Sequence, residues 1–422
     1  MTPQTVLSDE KGNIFAHPKL KMMVSSGGDY RLPQPRELIT LPRGSRIFYM
    51  PAHQAVGWDE DSRCPVCIEN FQGESVFPVA AHPVPGYVRL HLPAAQKTDK
   101  RLRLPLWAYT AVGWLKGRFC VACRRVDKMR KHRPLGPAEH REVEKNMAGM
   151  LKRFPRNRLV RHLARCASLY QCPNAFNLFL NKGEAPLPVS PVCNARCLGC
   201  LSYQGSDCTE ASQERINFIP TPEEIFEVAF FHLKNARSPL VSFGQGCEGE
   251  PLLQFATLKK AIRLIRSRTQ RGTIHLNTNG FSCDYIRALA AEGLDSIRIS
   301  LNSLSGDLYR AYYRPRHFGL KSVVASVQAA AQSGLFVSLN LLVFPGVTDT
   351  QAEASRLVTF LKKGHVRLLQ LRNLSIDSDF YFKQILGHRL GSPLGVLQLI
   401  RLLRRRYPHL RLGYFNIPKE SF

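Results

Sequence analysis

The 422-residue sequence contains no long hydrophobic run and no cysteine after Cys283. No stretch approaches the ~18 apolar residues of a membrane span, so no transmembrane helix is predicted. Residues 1–13 are polar and lack the apolar core of a signal peptide, which predicts a cytoplasmic protein. The apolar content of 44% is ample for a hydrophobic core, and the length indicates two or three domains.

Acidic residues are scarce, with 32 Asp and Glu against 59 Lys and Arg and a formal net charge of +27. Residues 97–165 hold 7 Lys and 13 Arg against 5 acidic residues. The densest run comprises Arg124, Arg125, Lys128, Arg130, Lys131 and Arg133, and Arg401 with Arg404–Arg406 forms a second. Basic residues near the tryptophans Trp58, Trp107 and Trp114 are typical of single-stranded RNA binding. Solvated helix faces would explain the same charge.

Twelve cysteines in a chain of this length suit a reducing cytosol better than a disulfide framework. Cys193, Cys197 and Cys200 follow the spacing C-x3-C-x2-C. Three thiolates can hold three corners of a [4Fe–4S] cluster and leave the fourth iron open, whereas a closed structural metal site has four protein ligands. Zinc binding, a redox disulfide or a chance cluster would also explain this spacing alone.

Six predicted strands alternate with helices in the second half of the chain. The strands are a run ending at residues 190–192, then residues 240–243, 273–277, 296–301, 336–344 and 366–371. Thr221, Pro222 and Glu224 carry the signature of a capped helix start, and Ser282 caps a later helix. Strict alternation predicts a parallel sheet with right-handed crossovers, and polar residues gather where the strands end, at the edge that holds active sites.

With these motifs in this order, residues 186–377 resemble the radical S-adenosylmethionine (radical SAM) superfamily. The resemblance implies a partial (βα)6 barrel, a [4Fe–4S] cluster on Cys193, Cys197 and Cys200, and a reducing partner of the flavodoxin or ferredoxin type. It implies reductive cleavage of S-adenosylmethionine to a 5′-deoxyadenosyl radical, which abstracts hydrogen from a substrate.

The same resemblance implies the residues that contact S-adenosylmethionine. They are Gly249 and Glu250 after the second strand, Thr278 after the third, Ser300 and Asn302 at the fourth, and Asn340 with residues 343–346 on the fifth. For Thr278 and Asn279, ordinary Asn-Gly turn chemistry is the alternative. Two positions depart from the family pattern: Gly199 stands where an aromatic residue commonly packs on adenine, and Glu248 stands where glycine is usual. Leu198 or an aromatic residue from another segment is expected to cover the adenine instead.

The remaining cysteines lie mostly in the first half of the chain. The pairs Cys64/Cys67 and Cys120/Cys123 could together close a zinc site, hold an auxiliary cluster or remain free thiols. Cys166 and Cys172 are interpreted as structural, and Cys208, Cys247 and Cys283 as buried or bystander thiols. The lack of cysteine after Cys283 argues against subfamilies with auxiliary clusters beyond the barrel, among them peptide-maturing and molybdopterin-biosynthesis enzymes.

The sequence therefore predicts an α/β protein of three parts. Residues 1–180 form a basic, partly β accessory domain, residues 181–380 the barrel, and residues 381–422 a basic helix, predicted at Val396–Arg406, and a tail. Two functions stay open: a radical SAM enzyme whose substrate includes RNA among the candidates, and a non-catalytic, metal-stabilised RNA-binding protein.

Overall fold

A computed structural model of the chain describes residues 1–128, 135–205, 209–385 and 390–422. Arg130, Lys131, Arg133 and Cys208, all singled out in the sequence, lie outside these ranges. None of the helices in the described ranges is long and apolar enough to cross a membrane.

The amino-terminal part is built from antiparallel strands. Within the described residues these are β1 Gln4–Ser8, β2 Ile14–Met22, β3 Val24–Ser26, β4 Asp29–Arg31, β5 Ile39–Thr40, β6 Arg46–Tyr49, β7 His53–Asp59, β8 Cys64–Ile68, β9 Asn70–Phe71, β10 Glu74–Ser75, β11 Phe77–His82, β12 Tyr87–Arg89, β13 Leu92–Pro93, β14 Ala95–Lys97, β15 Thr110–Leu115, β16 Arg118–Val121 and β17 Cys123–Arg125. The main sheet has the order β14-β7-β2-β1-β11-β15-β16-β5, with β6 beside β11 and β8 beside β7. Sequence patterns had indicated only short β pieces here.

Three helices connect this part to the second half: α1 Pro137–Arg153, α2 Arg158–Tyr170 and α3 Pro173–Phe179. The Asn157 side chain caps α2 by accepting from the Val160 N–H at 2.9 Å. Gln171 ends α2 in the left-handed conformation, with φ of 50°. Cys166 therefore lies inside α2, and Cys172 is the residue that opens α3.

The second half is a parallel sheet flanked by helices. Its strands are β18 Lys182–Pro186, β19 Arg237–Phe243, β20 Thr273–Thr278, β21 Ser296–Leu301, β22 Phe336–Val343, β23 Leu368–Asn373 and β24 Arg411–Gly413, paired in chain order. Its helices are α4 Pro222–Asn235, α5 Phe255–Arg266, α6 Cys283–Ala291, α7 Gly306–Tyr313, α8 Leu320–Gln332, α9 Gln351–Leu361, α10 Ser378–Ile385 and α11 Val396–Arg406. Every pairing along this sheet is parallel, which confirms the predicted α/β class.

The sheet curls into a partial barrel whose lumen is polar. Along β21 and β22 the residues Arg298, Ser300, Ser338 and Asn340 alternate with aliphatic residues that pack under the helices. Asn416, in the tail after β24, donates to the Glu184 carboxylate of β18 at 2.9 Å, so the two edge strands of the sheet approach each other.

The first predicted strand is misplaced. Residues 190–192 are not in a strand, because β18 ends at Pro186. Pro186, Pro188 and Pro191 lack the N–H donors that a strand in the interior of a sheet needs. The chain therefore leaves the sheet early, and residues 187–192 are free to pair with another loop.

The carboxyl-terminal residues complete the barrel rather than forming a separate appendage. The predicted helix, α11, buries Val396, Leu399, Ile400 and Leu403 against the common core. The following strand, β24, extends the sheet by pairing with β23.

Buried polar contacts join the amino-terminal strands to the carboxyl end of β23. Arg89 is fully buried and donates to the Leu374 carbonyl at 2.7 Å, while its backbone N–H donates to the Asn373 side chain at 2.8 Å. Lys97 contacts Asp377 at 2.9 Å. The amino-terminal part is thus fixed at the end of the barrel where the polar residues gather.

Candidate functional site

The three predicted cluster ligands lie together in the loop that follows β18. The backbone N–H groups of Arg196 and Leu198 donate to the carbonyls at the end of α7, on Tyr313 and Tyr312, each at 3.0 Å. The Cys200 N–H donates to the Cys197 carbonyl at 3.3 Å, which turns the chain tightly. Backbone hydrogen bonds therefore hold the loop in place, and the three thiols are not needed for this.

Burial disfavours ionisation of the Cys193 and Cys197 thiols. Burial raises the pKa of the Cys193 thiol to about 11 and, together with the neighbouring Cys200 and Cys193, raises that of Cys197 well above its usual range. The Arg215 guanidinium donates to the Cys200 sulfur at 3.5 Å. A group that brings positive charge to these thiols would deprotonate them, as bound iron does.

Glu250 stands beside the cysteine loop in a buried pocket. Its carboxylate accepts from the Thr278 hydroxyl and from the backbone N–H groups of Asn279 at 2.8 Å and Leu252 at 3.1 Å. Burial outweighs these hydrogen bonds and raises the pKa of Glu250 to about 7. The structure thus brings the predicted pair Glu250 and Thr278 into direct contact.

Gly249 permits a close approach of two backbone segments in the site. The Gly249 N–H donates to the Ser190 carbonyl at 2.7 Å, and the Glu250 N–H donates to the Val192 carbonyl at 2.9 Å. A Cβ atom on Gly249 would lie 1.9 Å from the Val192 carbonyl oxygen. Only glycine fits where these two loops pair, immediately before Cys193.

Glu248, one of the two departures from the family pattern, stabilises the backbone before Cys193 and the backbone after β19 by accepting hydrogen bonds from both. Its carboxylate accepts from the backbone N–H groups of Val189, Ser190, Gly244 and Gln245 at 2.6–3.1 Å. Burial raises its pKa to about 7 despite these four hydrogen bonds. Glu248 therefore orders the backbone around the cysteines and has no lone pair left for a ligand.

The other predicted cofactor residues lie along the same edge of the sheet. Ser300 and Asn340 are direct neighbours on β21 and β22. Asn302 and Asn340 are both buried, and within the described residues the side-chain oxygen of each has no hydrogen-bond partner. Buried polar atoms without partners are rare, so these two acceptors fit a ligand that donates to them.

Gly199, the second departure from the family pattern, lies against the side chain of Tyr312 from α7. A Cβ atom on Gly199 would lie 3.1 Å from the Tyr312 hydroxyl and 3.3 Å from the Ser375 carbonyl oxygen. Tyr312 is buried and fills the space that a large side chain at 199 would take. Tyr312 is thus an aromatic residue from another segment beside the cysteine loop, and the covering of adenine by such a residue or by Leu198 stays a prediction.

A cavity of about 410 Å³ opens next to Cys197. Its walls include four cationic side chains and no acidic one among the described lining residues; the cations are Arg103, Arg196, Arg314 and Lys383. Arg103 comes from the amino-terminal part, and its guanidinium stacks on Phe380 at 5.1 Å. Sequence analysis missed this cluster, because its members are far apart in the chain.

The structure does not bring the two amino-terminal cysteine pairs together. Cys64 and Cys67 are exposed on β8, which pairs with β7 at one side of the main sheet. Cys120 and Cys123 are buried on β16 and β17, and β16 lies near the opposite end of the sheet order. The Cys67 thiol contacts the Gln96 side chain at 3.2 Å, and the Cys120 thiol contacts the Gly113 carbonyl at 3.4 Å. A single site with all four thiols, whether zinc or cluster, does not fit this arrangement.

The comparison with protein-family models gives the decisive match: the Radical SAM superfamily model covers residues 187–358. These residues belong to the radical SAM superfamily. The matched range begins just before the cysteine loop and ends within α9, so it contains the three cysteines, Glu250 and the carboxyl ends of β19 to β22. The superfamily uses a [4Fe–4S] cluster and S-adenosylmethionine, and the three thiols, the close backbone approach at Gly249 and the two unpartnered amide oxygens fit these groups.

Curated relatives match over the radical SAM region. GTP 3′,8-cyclase of Petrotoga mobilis is 27% identical over 210 residues, covering 47% of this chain and 61% of the relative. GTP 3′,8-cyclase of Microcystis aeruginosa is 31% identical over 183 residues, covering 42% of this chain and 53% of the relative. The chain thus spans between half and two thirds of the length of these relatives.

Solved structures with similar folds include a radical SAM methyltransferase from Sphaerobacter thermophilus, with a TM-score of 0.40 and 17% identity over 55% of this chain and 65% of that one. SuiB of Streptococcus suis bound to the precursor peptide SuiA gives a TM-score of 0.40 and 13% identity over 65% of this chain and 66% of that one.

Proposed function

We propose that the protein is a radical SAM enzyme in which Cys193, Cys197 and Cys200 hold a [4Fe–4S] cluster. The observation that carries the proposal is the gathering of three thiols in one backbone-held loop, with Glu250 directly beside Cys193. When bound, the reduced cluster supplies the electron that cleaves S-adenosylmethionine to methionine and a 5′-deoxyadenosyl radical, which takes hydrogen from a substrate.

The chain's own residues would bind and orient S-adenosylmethionine. Gly249 lets the backbone approach closely, and Glu250 supplies a carboxylate near Cys193 that is suited to a cationic amino group. Thr278 holds Glu250 in place by donating to it. Ser300, Asn302 and Asn340 present polar groups along two neighbouring strand ends, where the hydroxyl and amino groups of a nucleoside would find acceptors.

The charge of the cavity beside Cys197 favours an anionic substrate. Four cations from three parts of the fold converge there, and arginine is well suited to phosphate because its planar guanidinium donates two parallel hydrogen bonds. The curated relatives are named for GTP, which is such a molecule. RNA is the larger anionic candidate that the basic sequence suggests.

The basic run is placed away from the thiols. Arg124, Arg125 and Lys128 line a different cavity together with Arg404 and Arg411, and this cavity shares no lining residue with the one beside Cys197. The cavity beside Cys197 has four cations of its own, so we favour a compact anionic substrate held by these cations.

Anaerobic turnover with dithionite tests the enzymatic proposal. Production of 5′-deoxyadenosine by the parent protein, and its absence in Cys197→Ala, is the expected result. A protein that binds RNA but never cleaves S-adenosylmethionine, with or without cell extract, would instead be the non-catalytic RNA-binding protein.

Binding of two probes tests the substrate class. GTP and a single-stranded RNA oligonucleotide are titrated into the parent protein, Arg314→Ala and the matched control Arg404→Ala at two salt concentrations. We expect Arg314→Ala to weaken GTP binding about tenfold or more and Arg404→Ala to leave it unchanged. If RNA binding depends on Arg404 and not on Arg314, RNA binds away from the candidate site. If Arg314→Ala leaves GTP binding unchanged, the cationic cavity is not the binding site of an anionic substrate.

A further inference from the structure

A second group of metal-ligating side chains lies outside the radical SAM site. The imidazole of His162, the thiol of Cys166 and the thiol of Cys247 offer ligand atoms that all lie within 4.8 Å of one another. Cys166 and Cys247 are buried, and His162 is half-buried. Among the described residues, no other group of three His, Cys, Asp or Glu side chains meets this distance.

We propose that His162, Cys166 and Cys247 bind a zinc ion, with Cys172 as the fourth ligand. Thiolate and imidazole are the usual ligands of structural zinc, and a Cys3His set closes the site without an open position. This site is distinct from the cluster loop and does not depend on the function proposed above.

The first two ligands are placed by the helix. His162 and Cys166 are four residues apart in α2, so their side chains project from the same face. The His162 Nε2 atom lies 3.5 Å from the Cys166 sulfur. In a tetrahedral site with Zn–S near 2.3 Å and Zn–N near 2.0–2.1 Å, the N···S separation is about 3.6 Å. The two ligands thus already have the spacing of a tetrahedral zinc site.

The third ligand comes from a distant loop. Cys247 follows β19, and its sulfur lies within 4.8 Å of the Cys166 sulfur and of a His162 ring nitrogen. Its backbone carbonyl accepts from the Ile216 N–H at 2.8 Å, which fixes the loop from the other side. The thiols of Cys166 and Cys247 and the imidazole of His162 thus form a group of side chains that could bind one metal ion together.

The fourth ligand lies where the chain turns back after α2. Gln171 is left-handed, and this turn lets the Cys172 N–H donate to the Cys166 carbonyl at 3.1 Å. The Cys172 thiol has Cys166 and Cys247 among its electrostatic neighbours but lies outside the set of ligand atoms within 4.8 Å of one another, so it would turn about its Cα–Cβ bond to reach the ion. The ligand pattern is therefore His-x3-Cys-x5-Cys on the helical segment, completed by Cys247.

A metal ion bound by these residues would connect the loop that carries Cys247 to helices α2 and α3. Cys247 directly precedes Glu248, whose carboxylate holds four backbone N–H groups around the cysteine loop. Zinc would fasten this loop to α2 and α3. We therefore infer a structural role, with the ion positioning the loop that carries Glu248 and Glu250.

Metal analysis of the anaerobically purified full-length protein tests the site. We expect about one zinc per chain in the parent protein and in the control variants Cys283→Ser and Cys64→Ser/Cys67→Ser. Cys166→Ser/Cys247→Ser should lose the zinc. Absence of zinc from the parent protein, or zinc retained by this double variant, would overturn the proposal.

Cobalt substitution tests the proposed metal site even if Cys166→Ser/Cys247→Ser does not fold. Protein stripped of zinc with a chelator and titrated with Co²⁺ alone should develop the visible bands of tetrahedral cobalt and sulfur-to-cobalt charge transfer, saturating at one equivalent. His162→Cys should shift these bands without abolishing them. Octahedral cobalt spectra, or a Cys166–Cys247 disulfide found by mass spectrometry of the native protein, would show that no such site exists.

Discussion

Individual glycines determine how closely the two loops of the site approach. We predict that Gly249→Ala disrupts the site, because its Cβ would collide with the Val192 carbonyl at 1.9 Å. Overpacking of this kind costs about 1–3 kcal/mol or more, and urea unfolding measures it. The matched control is Gly149→Ala in α1, where a Cβ meets nothing within 4 Å and which should be stabilised by up to about 1 kcal/mol. Equal effects of the two substitutions would contradict the close-approach argument.

The buried carboxyl of Glu250 predicts a pH-dependent stability difference. Burial raises its pKa to about 7 from 4.5, so the folded state binds the proton more tightly than the unfolded state. The parent protein therefore loses more stability than Glu250→Gln as pH rises from about 4.5 to 7, because the glutamine stays neutral. The variant should gain on the order of 3 kcal/mol relative to the parent across this interval.

Unfolding of the cluster-free parent and Glu250→Gln in urea, at several pH values from 4.5 to 8, measures this difference. The exposed Glu223, in the first turn of α4, provides the control Glu223→Gln, which should show no such trend. If the stability difference between Glu250→Gln and the parent protein does not change with pH, the conclusion that burial raises the pKa of Glu250 is contradicted.

At the level of elements, α11 is expected to be part of the core. Leu403 is fully buried in it, and Leu403→Ala should lower the free energy of unfolding by about 2–5 kcal/mol. Arg404, the next residue, is exposed, and Arg404→Ala should change stability by no more than about 0.5 kcal/mol. If Leu403→Ala changed the stability as little as Arg404→Ala, α11 would not be part of the core.

Sequence patterns located those elements whose signals are local. The bounds of α11 were predicted as they occur, Val396–Arg406, because its leucine stripe has a clear helical period. The predicted cap of α4 is confirmed by reciprocal hydrogen bonds between Thr221 and Glu224. The helix α9 was missed, although Thr350 and Glu353 carry the same capping signal.

Elements whose existence depends on distant partners were not predictable in this way. The three-residue strand β24 is a strand only because it pairs with β23, and the strands of the amino-terminal sheet are short and interrupted by prolines. In the site, the cluster cysteines were recognised from their spacing. The proposed zinc ligands were not recognised as one group: Cys166 and Cys172 were interpreted as structural and Cys247 as a bystander. Cys247 is 75 residues beyond Cys172, and only the fold brings them together.

For the whole molecule, the buried pair Lys97 and Asp377 is expected to couple the amino-terminal part to the barrel. Their side chains are 8% and 3% exposed, and Asp377 also accepts from the Leu104 N–H at 2.9 Å. Lys97→Met leaves a buried carboxylate without its cation and should cost about 3–5 kcal/mol. The control Lys21→Met breaks a pair whose acidic partner, Glu60, is 63% exposed and should cost at most about 1 kcal/mol. Calorimetry that shows no greater loss for Lys97→Met would contradict the coupling.

The most direct test of the central claim is the iron content and S-adenosylmethionine cleavage of anaerobically purified protein, measured for the parent and for Cys197→Ala. We predict about four irons per chain and dithionite-dependent 5′-deoxyadenosine in the parent, and the loss of both in the variant. A parent protein without iron, or Cys197→Ala with its iron unchanged, would contradict the assignment of Cys193, Cys197 and Cys200 as the cluster site.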